Sequence, residues 1–238
     1  TQLTNDPVYY SIGPSFTSDG SVVAFASLAD FTGGNADHSM EMFIVNADGT
    51  GLTQVTDLPA GYAWGPISAD GTVVVFQDCA DITGGNPEEI PQVYRVGADG
   101  TGLEQLTFGT GEWNCSWMSS LSADGSLIGL SSYADLTGRN PGNLCQAFIM
   151  QFGLGIAQLT ADVQSSHGSS ISADGSLIAF SSEADHTGGN PDGSREIFVV
   201  KSDGTGLRQL TDAPSYESGG LYMIALSADG SRIAFPST

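Results

Sequence analysis

The reactive and ligating side chains of this sequence are few: three histidines, three cysteines and a recurring set of loop acids and amides. His38 and His186 fall in polar loops, and His167 stands just before an apolar strand. A metal-assisted lyase or hydrolase needs at least three converging ligands and an open position. His167 and His186 are near enough in sequence to meet, but His38 is far from both. A better pattern for a hard cation follows each Gly-Gly pair. Asn35, Asp37 and Glu41 reappear as Asn190, Asp192 and Glu196. Calcium takes such oxygens from a flexible loop, and adjacent glycines let carbonyls turn inward. The intermediate copies are diluted: Asn86, Glu88 and Gln92, then Asn140, Asn143 and Gln146. The competing role for the asparagines is to hydrogen-bond their own loop backbone. Asp30, Asp81, Asp135 and Asp185 recur in all four copies and are expected to accept backbone N–H groups and hold the turn.

Cys79, Cys115 and Cys145 match no paired zinc pattern. In an oxidising compartment they imply one disulfide and one remaining thiol. Cys115 is the expected member, with Cys145 as its partner and Cys79 as the alternative.

The elements that must position these groups are strands. Glycine supplies 32 of 238 residues, and the apolar runs are short and rich in Val, Ile, Phe and Leu. No run is long enough for a membrane-spanning helix, and no leader pattern opens at Thr1, so export would require a leader already removed. Six Lys plus Arg against 27 Asp plus Glu leave a net charge of -21, with Lys201 the only lysine. Such a field repels nucleic acid and anionic membrane and attracts cations. It also keeps a particle soluble, as a monomer or as part of a larger assembly.

An internal repeat organises the chain. Asp-Gly follows an apolar strand at Asp19, Asp70, Asp124, Asp174 and Asp229, at spacings of 51, 54, 50 and 55 residues. A second strand follows each marker, then the Gly-Gly-Asn loop, then a third strand centred on Phe43, Tyr94, Phe148 and Phe198. A second hairpin signal, Ala47 to Gly51, recurs at Ala98 to Gly102 and Ser202 to Gly206. The third copy has Phe152-Gly153-Leu154-Gly155 instead. A fourth strand reads Gln54-Val55-Thr56 and recurs at Gln105, Gln158 and Gln209; Gln2-Leu3-Thr4 copies it. The units run approximately 7–57, 58–108, 109–161, 162–212, and 213–238 plus 1–6.

A four-strand meander cannot bury both its faces alone, and a ring of them leaves no long open edge. The expected fold is therefore all-β, a single β-propeller of four-stranded antiparallel blades. Five blades are expected, with Gln2-Leu3-Thr4 pairing the strand around Ala234 to close the last one; the competing expectation is a longer chain with six or more blades. In such a meander the Gly-Gly-Asn loops and the crossings between blades share one rim, which also takes Trp64, Trp113, Trp117 and His167. Aromatic faces beside acids and amides make a carbohydrate or peptide surface. The alternative is that the tryptophans merely cover blade ends.

Ser172 to Ser182, Glu196 to Val200 and Asp203 to Thr211 carry a specific likeness. The pattern Ser-x-Asp-Gly, Ile-Ala-Phe-Ser-Ser, loop, Ile-Phe-Val, Asp-Gly-Thr-Gly-Leu-x-Gln-Leu-Thr resembles the TolB-type, WD40-like propeller repeats of bacterial exported proteins, over essentially the whole chain. The resemblance implies an extracellular or periplasmic ligand-binding or protein-interaction module, and the Asn-Asp-Glu loops add the expectation that calcium stabilises it. Related propellers also gate serine peptidases and form a pectin-fragment lyase with a histidine-rich metal centre. No Gly-x-Ser-x-Gly elbow accompanies this one. The rival readings are a polysaccharide-active enzyme using the histidine-bearing rim and a structural cell-surface component.

Overall fold

A computed structural model describes residues 2–59, 61–161, 163–212 and 224–236. The chain divides into two compact units, Thr1–Met118 and Ser119–Thr238. Every regular element among the described residues is a strand.

In the first unit, β1 (Ser11–Phe16), β2 (Val22–Ser27), β3 (Glu41–Asn46) and β4 (Thr53–Gln54) form an antiparallel sheet in sequence order. The next sheet contains β5 (Val73–Asp78), β6 (Gln92–Gly97) and β7 (Glu104–Gln105). Its inner strand is reduced to isolated antiparallel bridges, Trp64 with Gln77 and Ile67 with Val74. Pro66 lies in that segment and cannot donate to a ladder, although its carbonyl accepts the N–H of Val75 at 3.0 Å.

The third sheet is β8 (Ser116–Leu121), β9 (Leu127–Ser132), β10 (Gln146–Gln151) and β11 (Gly155–Gln158). In the second unit follow β12 (Ser166–Ile171), β13 (Leu177–Ser182), β14 (Glu196–Lys201) and β15 (Arg208–Gln209), again in order. A last hairpin joins β16 (Ala225–Leu226) to β17 (Ile233–Ala234). Residues 213–223 of the expected fifth repeat lie outside the described residues.

Burial explains the weak alternation of the second and third strands, because both faces are covered. On the first sheet, Val23, Phe25, Phe43 and Val45 form a cluster on one face. Ala24, Ala26 and Met42 face the other way and share a core with Val74, Phe76, Tyr94 and Val96 of the second sheet. In the second unit Ala147 and Ile149 pack with Ile178, Phe180, Phe198 and Val200 in the same manner. One cross-strand ring pair recurs: Phe25 with Phe43, Phe76 with Tyr94 and Phe180 with Phe198 all stack, with centroids 5.6–5.7 Å apart.

The Asp-Gly hairpins close by one device. Asp19 Oδ1 accepts the Ser21 N–H and the hydroxyls of Thr17 and Ser21 at 2.7–2.9 Å, and Asp174 and Asp229 repeat the set. Those bonds, led by the Ser21 N–H, hold the Asp19 carboxyl down at about 2. The glycine that follows takes φ of +69° at Gly20 and +72° at Gly175, which an L side chain rarely adopts. Hairpins of neighbouring sheets are latched alike: Ser18 N–H to Ala69 carbonyl at 2.8 Å, and Ala173 N–H to Ala228 carbonyl at 2.9 Å.

One expected strand does not form. Gln2-Leu3-Thr4 has no strand conformation, and Ala234 pairs with Ala225 within its own hairpin. The fourth strands each pair with the third strand of their own repeat, a pairing that Gln2-Leu3-Thr4 does not make. The motif keeps only its local bond: Gln2 Nε2 donates to the Thr4 carbonyl at 2.7 Å, as Gln54 does to Thr56 and Gln209 to Thr211 at 2.8 Å. Leu3 instead packs against the Val23, Phe25, Phe43 and Val45 cluster.

Candidate functional site: the loop end of the sheets

The Gly-Gly-Asn loops are built rigidly from within. Asp30, Asp81, Asp135 and Asp185 each accept, through Oδ1, the N–H of the loop asparagine at 2.7–3.0 Å. The asparagine amide then bridges the loop. Asn86 Nδ2 donates to the carbonyls of Cys79 and Ile90, Asn140 to those of Tyr133 and Leu144, and Asn190 to those of Glu183 and Ser194. Asn35 donates to the Ser39 carbonyl. The asparagines thus serve their own loop backbone, which was the competing sequence-based role.

The candidate cation ligands do converge, but on a hydroxyl. Ser39 Oγ lies 3.1 Å from Asn35 Oδ1, 3.1 Å from Asp37 Oδ1 and 2.6 Å from Glu41 Oε1. Ser194 Oγ repeats this with Asn190, Asp192 and Glu196 at 2.9, 2.9 and 2.7 Å. Glu41 is fully buried and also takes the Leu58 N–H at 2.8 Å and the Thr56 hydroxyl. Burial pushes its carboxyl above the ordinary glutamate range, against the hydrogen bonds of Ser39, Thr56 and Leu58. Among the described residues no three His, Cys, Asp or Glu side chains come together as a metal-binding group.

Each histidine has separate employment. His38 stacks on Tyr9, with centroids 4.2 Å apart, and its Nδ1 is 3.1 Å from the Leu28 carbonyl. His186 sets its ring edge-on against Phe180 and Phe198, with Nε2 2.9 Å from Ser182 Oγ. That serine resembles a nucleophile only in isolation. It is fully buried and accepts the Ala184 N–H, a turn-holding bond that Ser27, Ser132 and Asp78 repeat at Ala29, Ala134 and Ala80. His167 is half-buried, and burial lowers its pKa first, followed by the Arg195 charge. Arg195 pairs with Glu183 at 2.6 Å.

Aromatics dominate the exposed apolar groups at the loop end of the first unit. Trp64 is 44% and Trp113 78% exposed, whereas Trp117, within β8, is half-buried. Tyr62, 71% exposed, was missed from sequence. Its signal was the alternation Tyr62-Ala63-Trp64, in which fully buried Ala63 turns both flanking rings outward. Phe108 joins them, its ring edge lying over Gly85 of the second loop. An open cleft of about 520 Å³ adjoins the first loop, lined by Thr32, Gly34, Gln54, Asp57 and Leu103. Its polar centre is already paired, because Gln54 accepts the Thr32 hydroxyl and donates to the Gly34 and Thr56 carbonyls.

No disulfide joins the three cysteines. Cys145 is buried, and burial pushes its thiol up to about 12.

The sheets, antiparallel and wound in sequence order, have clear counterparts among solved structures. A protein described as TolB from Agrobacterium tumefaciens matches at TM-score 0.65 and 18% identity, over 95% of this chain and 69% of that one. The fold is that of a TolB-type β-propeller. TolB from Acinetobacter baumannii matches at TM-score 0.57 and 16% identity, over 96% of this chain and 54% of its own. A prolyl endopeptidase matches at 0.63 and 12%, over 98% of this chain but 32% of its length. No family model matches the sequence, and neither does any curated protein. At these identities the TolB-type likeness establishes the fold and its blade-like sheets.

Proposed function

We propose that this TolB-type chain is an exported binding module, extracellular or periplasmic, whose ligand surface is the aromatic loop end of its first unit. One observation carries the reading: Tyr62, Trp64 and Trp113 present their rings to solvent from a frame whose loops are tied internally. Such rings offer large apolar area with few rotatable bonds, so little freedom is lost on binding. A protein segment or an oligosaccharide fits this chemistry. We take the repeat number to be five and the Asn-Asp-Glu loops to be held by their central serines rather than by calcium. Catalysis is not part of the proposal, since His38, His167 and His186 are each engaged in different surroundings.

Parallel glycan and peptide arrays test it, probed with the wild-type chain, a W64A/W113A variant, and a D48N/D99N variant altered at the opposite, hairpin end. Retention of a defined ligand class by wild type and the hairpin variant, with loss in the tryptophan variant, is expected. Equal retention by all three would move the ligand surface elsewhere.

A further inference from the structure

The loop edge of the second sheet brings three segments together. Tyr62 N–H donates to Asp78 Oδ2 at 2.9 Å, Asp78 pairs with Gln92 in the ladder of β5 and β6, and the Gln92 amide holds both the N–H and the carbonyl of Gly109 at 3.2 Å. This row ties the segment bearing Tyr62 and Trp64 to the one bearing Phe108, across about 14 Å of sheet, or about four residues of extended peptide. Glu88, in the intervening loop, accepts the Gly111 N–H and so holds the crossing that continues into Glu112 and Trp113. Glu88, Glu89 and Glu112 are exposed at the same edge as the four exposed rings. The sequence supplies no lysine or arginine to answer them there. Arg95 is the only one among residues 1–118; it lies opposite Val75, three residues along β6 from Gln92, and pairs with Glu104 at 3.7 Å.

We infer that the ligand laid across this edge is a peptide segment bearing lysine or arginine, an inference that rests on the aromatic loop end being the ligand surface. Aromatic rings attract Lys and Arg through their π faces, and carboxylates at the same edge add ion pairs and steer the approach. The two effects act together only on a cation. A neutral oligosaccharide would use the rings but gain no charge attraction from Glu88, Glu89 and Glu112, and an anionic one would be repelled. Because the loop frame is tied by its own hydrogen bonds, most of the freedom lost on docking is the peptide's.

The test is calorimetric titration of the full chain, at fixed ionic strength, with an unstructured Gly-Ser peptide carrying four lysines and with the same peptide acetylated on every lysine. Binding of the lysine peptide and none of the acetylated one is expected in wild type. Affinity for the lysine peptide should fall about tenfold in E89Q/E112Q and in W64A/W113A. It should hold in D48N/D99N, which removes as much charge from the opposite end and so controls for the general acidic field. Equal weakening in E89Q/E112Q and D48N/D99N, or equal binding of both peptides by wild type, would overturn the basic ligand. Undiminished binding by W64A/W113A would overturn it together with the aromatic reading. A glycan retained on the arrays and lost in W64A/W113A, with no binding of the lysine peptide, would overturn the basic ligand and leave the aromatic surface standing.

Discussion

Glu41 and Gln92 occupy one position in successive repeats, and each accepts the hydroxyl of the threonine two residues beyond its own fourth strand, Thr56 or Thr107. The charged version occurs beside Ser39 and the neutral one beside Ile90; likewise Glu196 stands beside Ser194 and Gln146 beside Leu144. The chain thus carries both forms of one buried bond, and substitution can exchange them.

Glu41→Gln should stabilise the protein at neutral pH. Gln92 shows that an amide can take both the threonine hydroxyl, at 2.6 Å, and the backbone N–H two residues later, at 3.2 Å. A raised carboxyl pKa means the folded state holds its proton more tightly. Wild-type stability therefore falls as pH rises from the ordinary value of 4.5 through the raised one. A gain of about 2–4 °C in Tm at pH 7, the shift produced by ~1 kcal/mol in a chain of this size, should vanish below pH 4.5, where both forms are neutral. Thermal melts of both proteins at pH 4 and pH 7 check this.

Thr107→Val should cost ~1–3 kcal/mol, because it strands the buried Val93 N–H and removes one of the two bonds that Gln92 Oε1 accepts. The hydroxyl donates to Gln92 Oε1 at 2.6 Å and accepts the Val93 N–H at 2.9 Å, and valine does neither. Urea unfolding should show a lower midpoint at unchanged slope.

Gly65→Ala should destabilise by ~1–3 kcal/mol or more, while Gly142→Ala stays within about 0.5 kcal/mol. A Cβ at Gly65 would lie 2.0 Å from the Val75 carbonyl oxygen and 2.7 Å from Phe76 Cα, both backbone atoms that must move. At Gly142 the nearest atom is 3.9 Å away. Denaturation of the pair under identical conditions gives the comparison.

Calcium and chelator should give the same melting temperature at matched ionic strength, since the oxygens of both Asn-Asp-Glu sets are bonded to Ser39 or Ser194. Matching matters because any salt screens a net charge of -21. A calcium-specific rise would show that the ion displaces the serine network.

What was legible in the sequence was whatever local chemistry decides. Asp174-Gly175 demands its hairpin, and Phe43 and Phe198 mark strands buried on both faces, because each repeat states these needs within a few residues. Gln2-Leu3-Thr4 misled for the same reason: its internal Gln-to-Thr bond forms without a strand partner. The loop acids read as a cation pattern from their oxygens alone, whereas the hydroxyls of Ser39 and Ser194 that join those oxygens are uncharged and drew no notice. Tyr62 was passed over because outward orientation depends on Ala63 fitting the core, a packing fact that composition does not show.

The central claim is that ligand binds the aromatic loop end, and hydrogen exchange with and without the array-selected ligand tests it most directly. The account predicts slowed exchange in 61–65 and 108–115, with the Asp48-Gly49 and Asp99-Gly100 hairpins unchanged. Protection at those hairpins, with 61–65 and 108–115 exchanging as in the free protein, would contradict it.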